Sequence, residues 1–256
     1  MAFPPEALTA DTLLDGRVRL AQPRRGYRAA VDPVLLAAFV PARPGERVLD
    51  LGCGAGAAIL CLAARVPGLA LHGLELQPAY AALARANAAA NAAPLAVHEG
   101  DVRRPPPALR ALAFEQVLAN PPFHGREAAA APDVGRDTAL REGEASLADW
   151  IDAGLRRLRP GGTLTLVHRP DRLDAILAAL DGRAGAVDIL PVAPRDGAAA
   201  GRLLLRARKG GGAALRLWPP LTLHALSSGA GGGNAYTPAA QRVLRGMEPL
   251  APGEPG

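Results

Sequence analysis

Gly52, Gly54 and Gly56 stand between a β-like run at residues 47–51 and a helical run at 56–66. Positions without side chains allow a tight strand-to-helix turn and let backbone amides approach a nucleotide-like ligand closely. Beyond the turn the pattern alternates: strand 69–75, helix 78–91, strand 95–99, strand 116–120, helix 147–158, strand 163–168, helix 171–180, strand 187–190 and strand 202–208. Short strands separated by helices predict a parallel sheet with crossover helices. The last two strands are joined by a Gly/Ala-rich loop short enough for antiparallel pairing. The expectation is an α/β chain with a seven-stranded, doubly wound sheet whose last strand runs antiparallel.

The 256 residues are 49% hydrophobic, enough for a substantial core. Ahead of the alternation lie an extended stretch at 17–20, a turn at 23–26 and an apolar helix at 33–40, with Asp32 as its cap and Pro33 in its first turn. After it, 210–214 and 229–233 are Gly-rich punctuation, and Thr237-Pro238 opens a final short helix. The net charge of +5 permits a polyanionic partner. Lys209 is the only lysine amid abundant Ala, Arg, Gly and Pro, a pattern of GC-rich codon usage, so arginine content alone does not argue for RNA binding. Arg17, Arg19, Arg24, Arg25 and Arg28, with Tyr27 among them, read equally as a phosphate track or a solvated basic face. Cys53 and Cys61 form neither a disulfide framework nor a zinc pattern, and the five histidines are scattered, so no metal is expected. Met1 to Leu14 has no basic start before an apolar core, and no apolar run reaches about 18 residues. A cytoplasmic protein without a membrane anchor is expected.

The glycine turn with Glu75, at the end of the next strand, suits a ribose diol bound to a carboxylate, and by itself does not separate a nicotinamide cofactor from S-adenosylmethionine. Asp101, after the third strand, is placed to accept a hydrogen bond from adenine's exocyclic amine, or is an ordinary loop acid. The set Asp50, Gly52, Gly54, Gly56, Glu75 and Asp101 favours S-adenosylmethionine when joined by Asn120-Pro121-Pro122-Phe123. An amide or adenine amine has a delocalised lone pair and is a poor nucleophile. An Asn side-chain oxygen and the Pro121 carbonyl can accept its two hydrogens, and Phe123 can cover the planar group, so that positioning replaces a strong base. Methyl transfer to a planar nitrogen is the chemistry these residues suit. The segment 124–145, with Arg126, Arg136 and Arg141, reads as a long loop that is functional or an Ala-rich insertion.

From about Arg17 to Arg208 the chain resembles class I S-adenosylmethionine-dependent methyltransferases of the Asn-Pro-Pro-Tyr/Phe group, which have a Rossmann-like sheet. More closely, it is similar to the bacterial enzymes that methylate N6 of the adenosine beside the anticodon of valine tRNA. The resemblance rests on 22–28, 32–36, 48–56, 74–76, 100–101 and 119–123. It implies that Gly52, Gly54 and Gly56 line the methionine end of S-adenosylmethionine, with Asp50 beside them. It further implies that Glu75 holds the ribose, Asp101 and Val102 the adenine, and Asn120, Pro121, Pro122 and Phe123 the target amine, Asn120 also facing the cofactor. Tyr27 and Asp32 would close the site from the N-terminal side. The expected layout is a lead-in at 1–46 packing on the cofactor site, a methyltransferase domain at 47–208 and, with no family role, a Gly-rich extension at 209–256. The implied partner is tRNA, acted on by a monomer. Glutamine-N5 protein methyltransferases acting on release factor and guanine-N2 ribosomal RNA methyltransferases share Asn-Pro-Pro-Tyr/Phe and are the alternatives. Phe123 in place of the commoner Tyr is a departure.

Overall fold

The computed structural model describes residues 2–26, 28–123, 145–225 and 235–250. A central sheet is built from β3 (Arg47–Leu51), β4 (Ala70–Glu75), β5 (Leu95–Glu99), β6 (Phe114–Ala119), β7 (Leu158–His168), β8 (Ala184–Arg195) and β9 (Arg202–Lys209). Their spatial order is β5-β4-β3-β6-β7-β9-β8. All pair in parallel except β9, which runs antiparallel to both β7 and β8. The reversal of strand order between β3 and β6 opens a crevice at their carboxyl ends, where ligands bind in sheets of this kind.

Strand residues alternate between two cores, one on each face, as the period of two requires. Val48, Leu71, Leu118, Val167 and Leu204 join one core with α1 (Val31–Phe39), α2 (Ala57–Arg65), α3 (Pro78–Ala90) and α7 (Pro238–Leu244). Leu49, Leu74, Val117, Leu166 and Leu205 face the other, covered by α4 (Pro107–Arg110), α5 (Leu147–Arg157) and α6 (Leu173–Leu180). Ser146 caps α5 through a reciprocal box with Asp149.

The seven expected strands are all present, the last of them antiparallel, and two short strands extend the sheet to nine. β10 (Arg216–Leu217) and β11 (Leu221–His224) both add in parallel to the outer edge of β8. Apolar alternation does not build β10, whose two residues are both exposed. The buried Asp188 holds it in place, accepting from Arg216 at 2.7 and 3.0 Å, Trp218 Nε1 at 3.1 Å and Arg206 at 2.9 Å. Burial alone would raise the Asp188 pKa, but these donors keep it below the usual carboxylate range. The antiparallel strand is therefore interior, and two more follow it. β8 also runs past residue 190, because Pro191 sits within it opposite Leu203 instead of ending it. Helix 171–180 divides into a 3-10 turn, Pro170–Arg172, and α6.

Residues 8–23 form a hairpin, β1 (Leu8–Leu13) and β2 (Val18–Pro23), where only a short extended stretch was expected. Its turn takes positive φ at Leu14, Asp15 and Gly16, the backbone twist that suits hairpin connections. Asp32 does not cap α1: the helix begins at Val31 after Ala30, which makes no side-chain cap. The Asp32 carboxylate instead accepts from Arg202 Nε at 3.0 Å, a partner 170 residues away. Among the described residues, no helix is long and apolar enough to cross a membrane.

Candidate active site

The glycine turn leaves the carboxyl end of β3 with positive φ at Gly52 (63°), Gly54 (55°) and Gly56 (89°), and Gly56 leads directly into α2. The outer two face protein. A Cβ on Gly52 would overlap the Trp150 ring of α5, with Cζ3 at 2.9 Å, and one on Gly56 would touch Leu60 Cδ1 at 3.4 Å. A Cβ on Gly54 would meet nothing within 4 Å. Gly54 therefore borders open space, and a ligand can approach its backbone there. The turn is seated on β4 by Cys53, whose Sγ fills the place a Cβ on Gly73 would take, 2.7 Å away.

Two carboxylates stand beneath the turn. Glu75, 7% exposed, accepts from Gly54 N–H at 2.9 Å and Gln77 N–H at 2.8 Å. Burial raises its pKa against the pull of these amides. The Leu76 amide also lowers its pKa, so three backbone donors serve the carboxylate and about one of its lone pairs remains for an incoming hydroxyl. Asp50, 3% exposed, has its pKa raised to about 8 by burial first and by the Glu75 charge second, with the Ile59 amide opposing. Leu76, directly after Glu75, is 56% exposed and offers an apolar surface where a flat ring can lie.

Asp101 follows the third strand of the alternation, with Val102 buried beside it. Its carboxylate is held by Arg103, through the backbone N–H at 2.8 Å and Nη2 at 2.6 Å, and these hydrogen bonds lower its pKa. An adenine contact at Asp101 shares this carboxylate with Arg103.

Asn120, Pro121, Pro122 and Phe123 continue from the carboxyl end of β6, which pairs with β3 through Leu51 and Ala119. The register therefore places Asn120 beside the start of the glycine turn. The Phe123 ring meets His168, at the end of β7, nearly perpendicularly with centroids 5.2 Å apart. The Arg202 guanidinium lies over the same ring, 4.6 Å from its centroid. His168 is 1% exposed, and burial lowers its pKa to about 4, so at physiological pH it is a neutral wall and only a weak base.

The N-terminal hairpin is tied to the glycine turn by one buried side chain. Asn87 of α3 donates to Ala55 O at 2.9 Å and Ala21 O at 3.0 Å, and accepts from Ala21 N–H at 2.8 Å. Of the basic residues in this region, Arg28 bonds Asp11 at 2.8 Å and Thr9 at 2.7 Å, and Arg24 donates to Glu6 O at 2.9 Å. Both brace the hairpin.

The expected residues Asp50, Gly52, Gly54, Gly56 and Glu75 thus meet at one turn, and Asn120 to Phe123 lie beside it. Asp32 sits on the Phe123 side through Arg202. Tyr27, His124 and the loop arginines Arg126, Arg136 and Arg141 lie outside the described residues. Sequence reasoning did not single out Leu76, Asn87, Trp150, His168 or Arg202 as site residues. The nearest signals were positional: Leu76 follows Glu75 directly, and His168 and Arg202 stand at strand ends in the carboxyl-end crevice.

A family profile described as "Methyltransferase small domain" matches residues 30–180. A tRNA1(Val) (adenine(37)-N6)-methyltransferase from Yersinia pseudotuberculosis is 30% identical over 169 residues, spanning 65% of this chain and 66% of that protein, just under two thirds of its length. The crystal structure of a predicted O-methyltransferase from Agrobacterium tumefaciens superposes with a TM-score of 0.69 at 29% identity, covering 86% of this chain and 98% of that one. A 16S rRNA N2 G1207 methyltransferase from Thermus thermophilus, solved with AdoMet and guanosine, gives a TM-score of 0.54 at 24% identity over 79% of this chain and 50% of that one, a likeness of fold alone.

Proposed function

Because this chain belongs to the methyltransferase small domain family, we propose that it is an S-adenosylmethionine-dependent N-methyltransferase whose acceptor is the N6 amine of an unpaired adenosine in the anticodon loop of tRNA, valine tRNA in particular. The observation that carries this reading is the register of β6 on β3, which sets Asn120-Pro121-Pro122-Phe123 beside a glycine turn open at Gly54. The residues fit the cofactor. The opening at Gly54 accepts a ligand that a Cβ would obstruct, Glu75 retains a lone pair for a ribose hydroxyl, and Leu76 presents an apolar surface to a purine. In this assignment Gly54 borders the methionine end, with Asp50, Gly52 and Gly56 shaping the turn around it, and Asp101 and Val102 the adenine. When bound, S-adenosylmethionine supplies an electrophilic methyl group.

The chain's own residues then orient the acceptor. The Asn120 side-chain oxygen and the Pro121 carbonyl accept the two amine hydrogens, drawing the nitrogen lone pair out of conjugation, while Phe123 stacks on the ring. The proton departs to water after alkylation. Neither His168, a weak base whose pKa burial lowers, nor Asp50, whose pKa burial raises, is asked to remove it. An amine on a paired, stacked base does not reach a strand end, so the acceptor is an unpaired, flipped base. Action on tRNA places the protein in the cytoplasm.

The test is to incubate the protein and labelled S-adenosylmethionine separately with unmodified total tRNA, ribosomal RNA and release factor, then identify the modified product by mass spectrometry. N6-methyladenosine in tRNA is the expected result. Label at guanine N2 or at a protein glutamine, with none in adenosine, overturns the adenine assignment.

A further inference from the structure

We propose that Arg202 is a positioning residue for the target base: its guanidinium, anchored by Asp32, backs the Phe123 ring so that the base stacks on the ring surface Arg202 leaves open. Four side chains from four separate segments form the assembly. Asp32 lies in the first turn of α1, Arg202 opens β9, Phe123 follows β6, and His168 ends β7. Arg202 Nε donates to Asp32 Oδ2 at 3.0 Å, and its Nη1 donates to Gly201 O at 2.8 Å, so the guanidinium is fixed at two points. Its Cζ stands 4.6 Å from the Phe123 centroid. His168 meets the same ring at 75° and stays neutral, leaving the cation over Phe123 to Arg202.

Given that Phe123 carries the target base, as the proposed function has it, this arrangement does two things. It removes the freedom of a ring at the edge of a loop, so less order is lost when the base arrives. A cation against one face also draws π density away from the other, which favours stacking with an electron-rich purine. Phe123 has no hydroxyl to anchor it, and packing against Arg202 and His168 takes over that task. Asp32, far from Arg202 in sequence, becomes part of the substrate platform.

The test measures steady-state methylation by Arg202→Gln, Arg202→Lys, Asp32→Asn and the double variant Asp32→Asn/Arg202→Gln, on whichever acceptor takes label in the wild type. Any planar acceptor over Phe123 requires the same platform, so failure of the adenine assignment and failure of the Arg202 role are read separately. Arg202→Gln is expected to raise KM for the acceptor about three- to tenfold while KM for S-adenosylmethionine stays within about twofold. Arg202→Lys keeps the charge but not the planar fork and recovers part of the loss. Asp32→Asn shows a smaller defect that adds nothing in the Arg202→Gln background. A general loss of structure would move both KM values and the melting temperature together and would overturn the role. An unchanged acceptor KM overturns it as well, and a lowered one would mean that Arg202 occupies the base's own place.

Discussion

Gly52 and Gly54 have similar positive φ but opposite surroundings, so the same substitution should fail in two different ways. An alanine in the left-handed region costs about 1–2 kcal/mol at either site. At Gly54 the new methyl enters open space, so that strain is the whole cost to folding. At Gly52 it overlaps the Trp150 ring, with Cζ3 at 2.9 Å, and overpacking adds about 1–3 kcal/mol. Gly52→Ala should therefore be the less stable protein by about that added amount, and at roughly 2–4 °C per kcal/mol for a domain of this size its melting temperature should lie roughly 2–12 °C lower. Binding should show the reverse emphasis. The Gly54 methyl projects where the ligand approaches and should weaken S-adenosylmethionine binding about 5- to 150-fold by the same overpacking range, and Gly54→Arg should abolish it. The assays are urea or thermal unfolding and calorimetric titration with S-adenosylmethionine. Trp150→Leu supplies the control, since it removes the obstructing ring and should recover about 1–3 kcal/mol in the Gly52→Ala background while recovering nothing in Gly54→Ala. Equal destabilisation by the two alanines, or no recovery with Trp150→Leu, would refute the division of the turn into a protein-facing and a ligand-facing glycine.

Asn120→Ala should lower turnover about 100-fold or more while leaving cofactor affinity within a few fold, as read by single-turnover methylation and calorimetry. Asn87→Ala removes a buried amide that serves Ala21 and Ala55, so it should cost about 2–4 kcal/mol and raise hydrogen exchange across residues 8–23; unchanged protection there would count against the tie. His168 has its folded pKa lowered from 6.5 to about 4, so between those values the unfolded chain binds the extra proton and stability falls as pH drops. The loss should reach on the order of 3 kcal/mol by pH 4 and be absent from the His168→Leu profile, which denaturant titrations across that window would check.

Local chemistry made much of this molecule readable before any fold was known. Glycines at a strand-to-helix turn, carboxylates at strand ends and a Pro-Pro turn after an apolar run are short-range signals, and residues 95–99 match β5 to the residue. Asp15-Gly16 carried a comparable hairpin signal, which the irregular alternation of residues 8–13 obscured. Other features had no local signal to read. β10 exists because one buried carboxylate gathers two arginines and a tryptophan, and ion pairing leaves no periodicity in a two-residue strand. Asn87 looks like any polar residue on a helix until Ala21 and Ala55 are brought to it from 66 and 32 residues away. Nothing near Gly52 or Gly54 in sequence indicates which of them faces Trp150. Asp32 beside Pro33 has the local form of a helix cap, and its pairing with Arg202 arises only when the sheet order sets β9 next to β7 and within reach of α1. Backbone conformation and hydrophobic period are set within a few residues, so the sequence alone determined the seven strands of the alternation and the glycine turn at the end of β3. Which side chains meet across that crevice depends on strand order and register, and only the tertiary structure decided it.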